Sequence, residues 1–195
     1  SILSLISVII LTFLFLLPMA GIAAAPGAED YWVWENPAPT ANDLHGVSAL
    51  DEDHVWAVGD NGTILFYDGV RWNTQISPTN NNLNDVWAAG ADDVWAVGEK
   101  GTIIHWDGTG WSLNSQGLTD KDLKGVSGCD ATHIWAVGDS GTILTYSGPN
   151  WGQDGTFPTS HNMYCVTVLD PTHLWCAGGN GDGTEGYIYM WESGI

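Results

Sequence analysis

HVWAVGDNGTILFYDGVRW, residues His54 to Trp72, reads in isolation as a glycine-rich loop with acidic chemistry. Its meaning changes when the chain is laid against itself. The same order of residue types returns in registers that open at Leu44 (LHGVSALDEDHVWAVG), Leu83 (LNDVWAAGADDVWAVG), Leu123 (LKGVSGCDATHIWAVG) and Met163 (MYCVTVLDPTHLWCAG), at spacings of 39, 40 and 40. Each register runs through a short apolar run, an acidic turn, a WAVG-like segment, a Gly turn, and an apolar run ending in Tyr or Trp. The first three go on to Trp72, Trp111 and Trp151.

Each register has room for four strands of about five residues with turn chemistry between them. In the first, strand a is HGVSAL, strand b is HVWAV, strand c is TILFY, and strand d begins at Trp72. GDNGT and GDSGT link b to c as hairpin turns, with Asp or Asn capping and Gly supplying the positive φ that other residues resist. Strand b is apolar on both faces, as a sheet covered on both sides requires. Repeated four-stranded antiparallel sheets of about 40 residues predict an all-β chain, the blades of a β-propeller.

The first 28 residues carry no charge, and Ile2 to Leu17 are largely apolar. Residues 1–25 are predicted to be an export signal with a small-residue cleavage site at Ala23 or Ala24; an uncleaved membrane anchor is the competing reading. Neither an initiating Met nor a basic leading segment precedes the apolar run, so a truncated start is expected. The propeller is placed at 26–195, with YWVWENPAPTAND (Tyr31 to Asp43) as a lone strand d and the fourth register incomplete. Two readings follow: a four-bladed ring closed by Tyr31 to Glu35, or part of a larger ring.

Acidic residues number 23 against 4 Lys and Arg, a formal net charge of −19. Nucleic acid and anionic membrane surfaces are thereby excluded as partners, because phosphate binding needs Lys and Arg to displace counterions. Contact with a membrane is expected only through an uncleaved N-terminal segment. The charge suits a soluble exported protein.

WAVGDNGTILFYDGVRW, WAVGEKGTIIHWDGTGW and WAVGDSGTILTYSGPNW resemble the repeats of the photosystem II assembly-factor family, a relative of the sialidase-like, Asp-box propellers. The resemblance covers Leu44 to Trp191. It implies an extracytoplasmic propeller, usually of six to eight blades, that binds rather than catalyses. The chain departs from the pattern in its shortened Asp68 to Trp72 turn and at Ser147, which replaces the turn aspartate. Arg71, Lys100, Lys121 and Lys124 are too few for the basic patch the assembly role implies, and one arginine cannot supply a sialidase arginine triad.

Repetition sorts the residues that could carry chemistry. His54, His133 and His173 share one position, which Asp93 fills in the second register; they are expected to be satisfied by the a-to-b turn, not to converge on a metal. His45, His105 and His161 stand outside the pattern. Asp60, Glu99 and Asp139 cap matched turns, and Trp56, Trp95, Trp135 and Trp175 with Trp72, Trp111 and Trp151 pack blade on blade. No catalytic residue and no metal site is predicted.

The departures are more informative. Trp87 stands where other registers have Ser48, Ser127 and Thr167, and as a strand-a residue it is a candidate ligand platform in the central channel. Arg71 is matched by Gly110 and Asn150. The insertion Gly179 to Gly186 carries Asn180, Asp182 and Thr184 at the spacing of the first Ca²⁺-loop ligands, without the later Gly and Glu of an EF-hand; Asn180, Asp182 and Glu185 join Trp87 and Arg71 as candidate binding residues. No cofactor beyond Ca²⁺ is suggested. Cys165 and Cys176 lie symmetrically about Asp170-Pro171, so an even-length hairpin would bring them face to face as a disulfide. Cys129 replaces Leu50 and Leu169 and is expected to be a buried apolar thiol.

These readings lead to an exported, non-catalytic propeller binding a protein or glycan at or outside the cell surface. The alternatives are part of a glycan-processing, sialidase-like enzyme, or a structural adhesin or surface-layer repeat.

Overall fold

The computed structural model describes residues 40–154 and 160–192. They belong to a compact unit spanning Pro37–Ile195. The predicted signal or anchor, and Tyr31 to Pro39 of the predicted lone strand d, lie outside the described residues. Among the described residues no helix is long and apolar enough to cross a membrane.

The described chain is all-β. Blade 1 holds β1 (Leu44–Ala49), β2 (Val55–Gly59), β3 (Ile64–Tyr67) and β4 (Trp72–Thr74); blade 2 holds β5 (Leu83–Gly90), β6 (Asp93–Gly98), β7 (Ile103–Trp106) and β8 (Trp111–Leu113). Blade 3 follows with β9 (Leu123–Asp130), β10 (His133–Gly138), β11 (Ile143–Tyr146) and β12 (Trp151–Gln153), and blade 4 with β13 (Asn162–Asp170), β14 (His173–Gly179) and β15 (Gly186–Glu192). Every blade is an antiparallel meander in sequence order, with four strands in blades 1 to 3 and three described strands in blade 4. The first strands of successive blades lie against one another, β1 on β5, β5 on β9 and β9 on β13. This is the radial stacking of a β-propeller.

Apolar cores form between blades. Trp56, Val58 and Ile64 of blade 1 pack on Leu83, Val86, Val94, Ala96, Ile104 and Trp111 of blade 2. The same positions meet at the next two junctions, where Trp95, Val97 and Ile103 pack on blade 3, and Trp135, Val137 and Ile143 on blade 4. The repeated tryptophans sit edge to face across the junctions, Trp56 against Trp111 at 5.5 Å and Trp95 against Trp151 at 5.4 Å, a preferred aromatic geometry. Strand b is buried on both faces because each of its faces meets a different blade.

The b-to-c turns are tight. Asn61 and Gly62 both have positive φ, 55° and 69°, and the Thr63 amide donates to the Asp60 carbonyl at 3.0 Å. This is a type I′ hairpin turn, and Lys100-Gly101 and Ser140-Gly141 repeat it. The Gly of each WAVG segment serves a different purpose. Gly98 has an extended φ of −166°, but a Cβ there would stand 2.0 Å from the Asn82 carbonyl oxygen. Gly59, Gly138 and Gly178 meet the carbonyls of Asp43, Asp122 and Asn162 equally closely. The repeat therefore requires glycine because strand b ends against the backbone that enters strand a.

The expected Cys165–Cys176 disulfide is corrected by the register. The β13–β14 hairpin turns on Pro171 and Thr172, with Asp170 opposite His173, and Leu169 bulges out of the pairing. Cys165 consequently faces Ala177, and Cys176 faces Val166. A one-residue shift sends side chains to opposite faces of a sheet. Both thiols are free, Cys165 exposed and Cys176 buried.

Candidate functional site

Most recurring polar side chains are engaged in the scaffold. His54 bonds Asp51 at 2.8 Å, His133 bonds Asp130 at 2.9 Å and His173 bonds Asp170 at 3.0 Å, all across the a-to-b turn. In blade 2, where Asp93 replaces the histidine, its carboxylate accepts from Trp95 Nε1 at 2.8 Å and pairs with His105 Nε2 at 2.7 Å. His105 also stacks on Trp95, with ring centroids 4.0 Å apart. His45 pairs with Asp60 at 2.7 Å, and His161 bonds the Tyr189 hydroxyl at 2.7 Å while stacking on Tyr187.

The turn carboxylates are held ionised by donors from their own loops. Asp107, bonded by the Thr109 hydroxyl and by the Thr109 and Gly110 amides, is lowered to about 2. Asp130 and Asp170 are also lowered to about 2, by their threonine and histidine neighbours. The exception is Asp85 on β5, whose carboxyl is pushed up by burial although it accepts from the Val86 and Val126 amides at 2.9 Å. Val126 belongs to blade 3, so Asp85 bridges two blades where the equivalents Gly46 and Gly125 carry no side chain.

A second set of bridges has a signal readable in the repeat, the Asn or Asp at the entry to strand a. The Oδ1 atoms of Asn82, Asp122 and Asn162 accept from the amides of Asn61, Lys100 and Ser140 in the preceding blade, at 2.8, 3.0 and 2.9 Å. Each thereby stitches the positive-φ turn residue of one blade to the next.

The candidate binding residues sit on three different blades. Trp87 is half-buried and packs into the junction core of blades 2 and 3, with its ring edge 2.6 Å from where a Cβ on Gly128 would stand. It fills the space that Gly128 leaves, which gives its ring a part in inter-blade packing. Arg71 is exposed on the c-to-d turn of blade 1, its amide donating to Asp68 at 2.9 Å. In the blade 4 insertion, Asn180 donates to the Thr184 hydroxyl at 2.8 Å, and Asp182 accepts from the Thr184 amide and hydroxyl at 2.9 and 2.7 Å. Glu185 accepts from the Tyr187 hydroxyl. These groups are tied together by the loop's own bonds. A cleft of about 260 Å³ lies beside the loop, lined by Tyr164, Gly181, Thr184 and Glu185 among others.

No family model matches the chain, and no curated protein matches it. Solved structures do. YCF48 bound to D1 peptide is similar at a TM-score of 0.65 and 15% identity, over 80% of this chain and 53% of that one. YCF48 from Cyanidioschyzon merolae is similar at 0.60 and 14%, over 76% and 50%. The computationally designed Ika4 protein is similar at 0.62 and 13%, over 80% and 94%. The chain thus spans about half the length of the two YCF48 structures. What it shares with all three is the β-propeller fold.

Proposed function

We propose that this chain is an exported, non-catalytic β-propeller that serves as a protein-interaction module at or outside the cell surface, and that its partner presents a basic segment. One observation carries the reading. The recurring histidines, turn carboxylates and tryptophans are engaged in closing turns and joining blades, which leaves a strongly acidic exterior, with a net charge of −19, as the chemistry offered to a partner. Such a field favours cationic partners and speeds their approach. A similarly built propeller, YCF48, has been solved bound to a D1 peptide, which supports a protein ligand. The apolar, uncharged N-terminal run supports export. A random-peptide display selection tests the proposal: selected peptides should be enriched in Lys and Arg, and enrichment in acidic or uncharged sequences would overturn it.

A further inference from the structure

The Asp–His pair that closes the a-to-b turn recurs in blades 1, 3 and 4, but the residue before the aspartate differs: Leu50, Cys129 and Leu169. In blade 3 that residue is a β-bulge. Gly128 pairs with Ile134 and Asp130 with His133, leaving Cys129 between them without a partner. Bulges re-aim side chains and are over-represented beside functional sites. Here Cys129 Sγ lies 3.9 Å from the His133 carbonyl oxygen. Its thiol, an Asp130 carboxylate oxygen and a His133 ring nitrogen all fall within 4.8 Å of one another. The expectation of a buried apolar thiol is therefore not met; Cys129 is only half-buried.

Thiolate, imidazole and carboxylate are the donors that Zn²⁺ and related ions accept, and a tetrahedral ion with bonds of about 2.0–2.3 Å sets its ligand atoms roughly 3.3–3.8 Å apart. To reach that spacing the thiol closes in by about 1 Å, while the bond between His133 Nδ1 and Asp130, now 2.9 Å, opens to make room for the ion. Entry is open, since the side chains of His133 and Asp130 are 40% and 50% exposed. We propose that Cys129, Asp130 and His133 bind one borderline-soft divalent transition-metal ion of the Zn²⁺ class, on a turn whose counterparts in the other described blades lack the thiol. On binding, the thiol gives its proton to solvent and becomes the thiolate ligand. A His133 ring nitrogen bonds the ion, and water fills the remaining position. The bound ion would cross-link both ends of the bulged turn and stabilise blade 3 by mass action.

Co²⁺ titration of the full, untagged chain under a phosphine reductant tests this, read by the near-ultraviolet thiolate-to-cobalt charge-transfer band and by Zn²⁺ displacement. One equivalent of Co²⁺ should develop the band and Zn²⁺ should abolish it. Cys129→Ala installs the residue that blade 2 carries at Ala89; it should remove the band and weaken Zn²⁺ binding at least about tenfold, since loss of mere outer-shell partners already costs about 10- to 100-fold. Cys165→Ser and Cys176→Ser should leave the band intact. Leu50→Cys, placed before Asp51 and His54, should add a second equivalent. A wild-type chain with no band at saturating Co²⁺, a band that survives Cys129→Ala or is lost with Cys165→Ser, or a Leu50→Cys chain that still binds one equivalent would overturn the proposal.

Discussion

Gly98→Ala tests why the WAVG glycine recurs. A Cβ at Gly98 would lie 2.0 Å from the Asn82 carbonyl oxygen, whereas real Cβ contacts stay beyond 3.0 Å, so the two backbones must separate by at least about 1 Å. That movement breaks the hydrogen bond from the Glu99 amide to the Asn82 carbonyl, now 3.0 Å. It also drags on the Asn82 side chain, which accepts from Asn61 at 2.8 Å and donates to Glu99 at 3.0 Å. One to two lost hydrogen bonds at about 1 kcal/mol each, with overpacking strain of about 1–3 kcal/mol, give a destabilisation of about 2–5 kcal/mol. Gly110→Ala is the matched control, because nothing lies within 4 Å of its Cβ position and its φ is not positive; it should stay within about 0.5 kcal/mol of wild type. Urea denaturation followed by tryptophan fluorescence measures both. A Gly98→Ala chain within about 1 kcal/mol of wild type would refute the steric account and return this glycine to the role of a simple turn residue.

Other outcomes follow from the same geometry. Lys100 occupies the first positive-φ position of its type I′ turn, at φ 55°; Lys100→Asn, matching Asn61, should raise stability by roughly 0.5–1 kcal/mol in the same assay. Asp107, Asp130 and Asp170 have folded-state pKa values lowered to about 2. Their contribution is therefore complete above the unfolded carboxylate value of about 4 and is lost as pH falls through about 2; carbon-detected NMR titration should show all three still ionised at about pH 3, and midpoints near 4 would contradict the turn bonding. The thiol of Cys165 should be alkylated rapidly in native protein without reductant, whereas Cys176, buried and with its pKa pushed up to about 12, should react only on unfolding; equal protection of the two would point back to a disulfide.

The blades were legible because their determinants are local and repeated. A period of about 40 residues, Gly-bearing turns and two-faced apolar strands specify a blade without knowledge of its neighbours. The packing role of Trp56, Trp95, Trp111, Trp135 and Trp151 followed from repetition alone. What escaped depended on single-residue register or on contacts between blades. An unbroken hairpin centred on Asp170-Pro171 pairs Cys165 with Cys176, but the turn lies one residue later, on Pro171 and Thr172, and the bulge at Leu169 takes back only part of that shift. The same bulge in blade 3 turns Cys129 from an apolar filler into a neighbour of His133. Trp87 looked exceptional within its own strand, but its explanation lies 41 residues on, in the missing side chain of Gly128. The strand-entry residues Asn82, Asp122 and Asn162 recur plainly, yet their role as stitches between blades needs the turn of the preceding blade in place.

The scaffold uses its recurring chemistry internally, and the proposed partner would meet an exterior of strongly acidic charge. The most direct test is fluorescence anisotropy with a labelled Lys/Arg-rich peptide, an acidic peptide of equal length, and the full chain at low and near-physiological ionic strength. The basic peptide should bind with an affinity that falls as salt screens the exterior charge, and the acidic peptide should not bind. Equal binding of both peptides, or basic-peptide affinity indifferent to salt, would contradict the proposal.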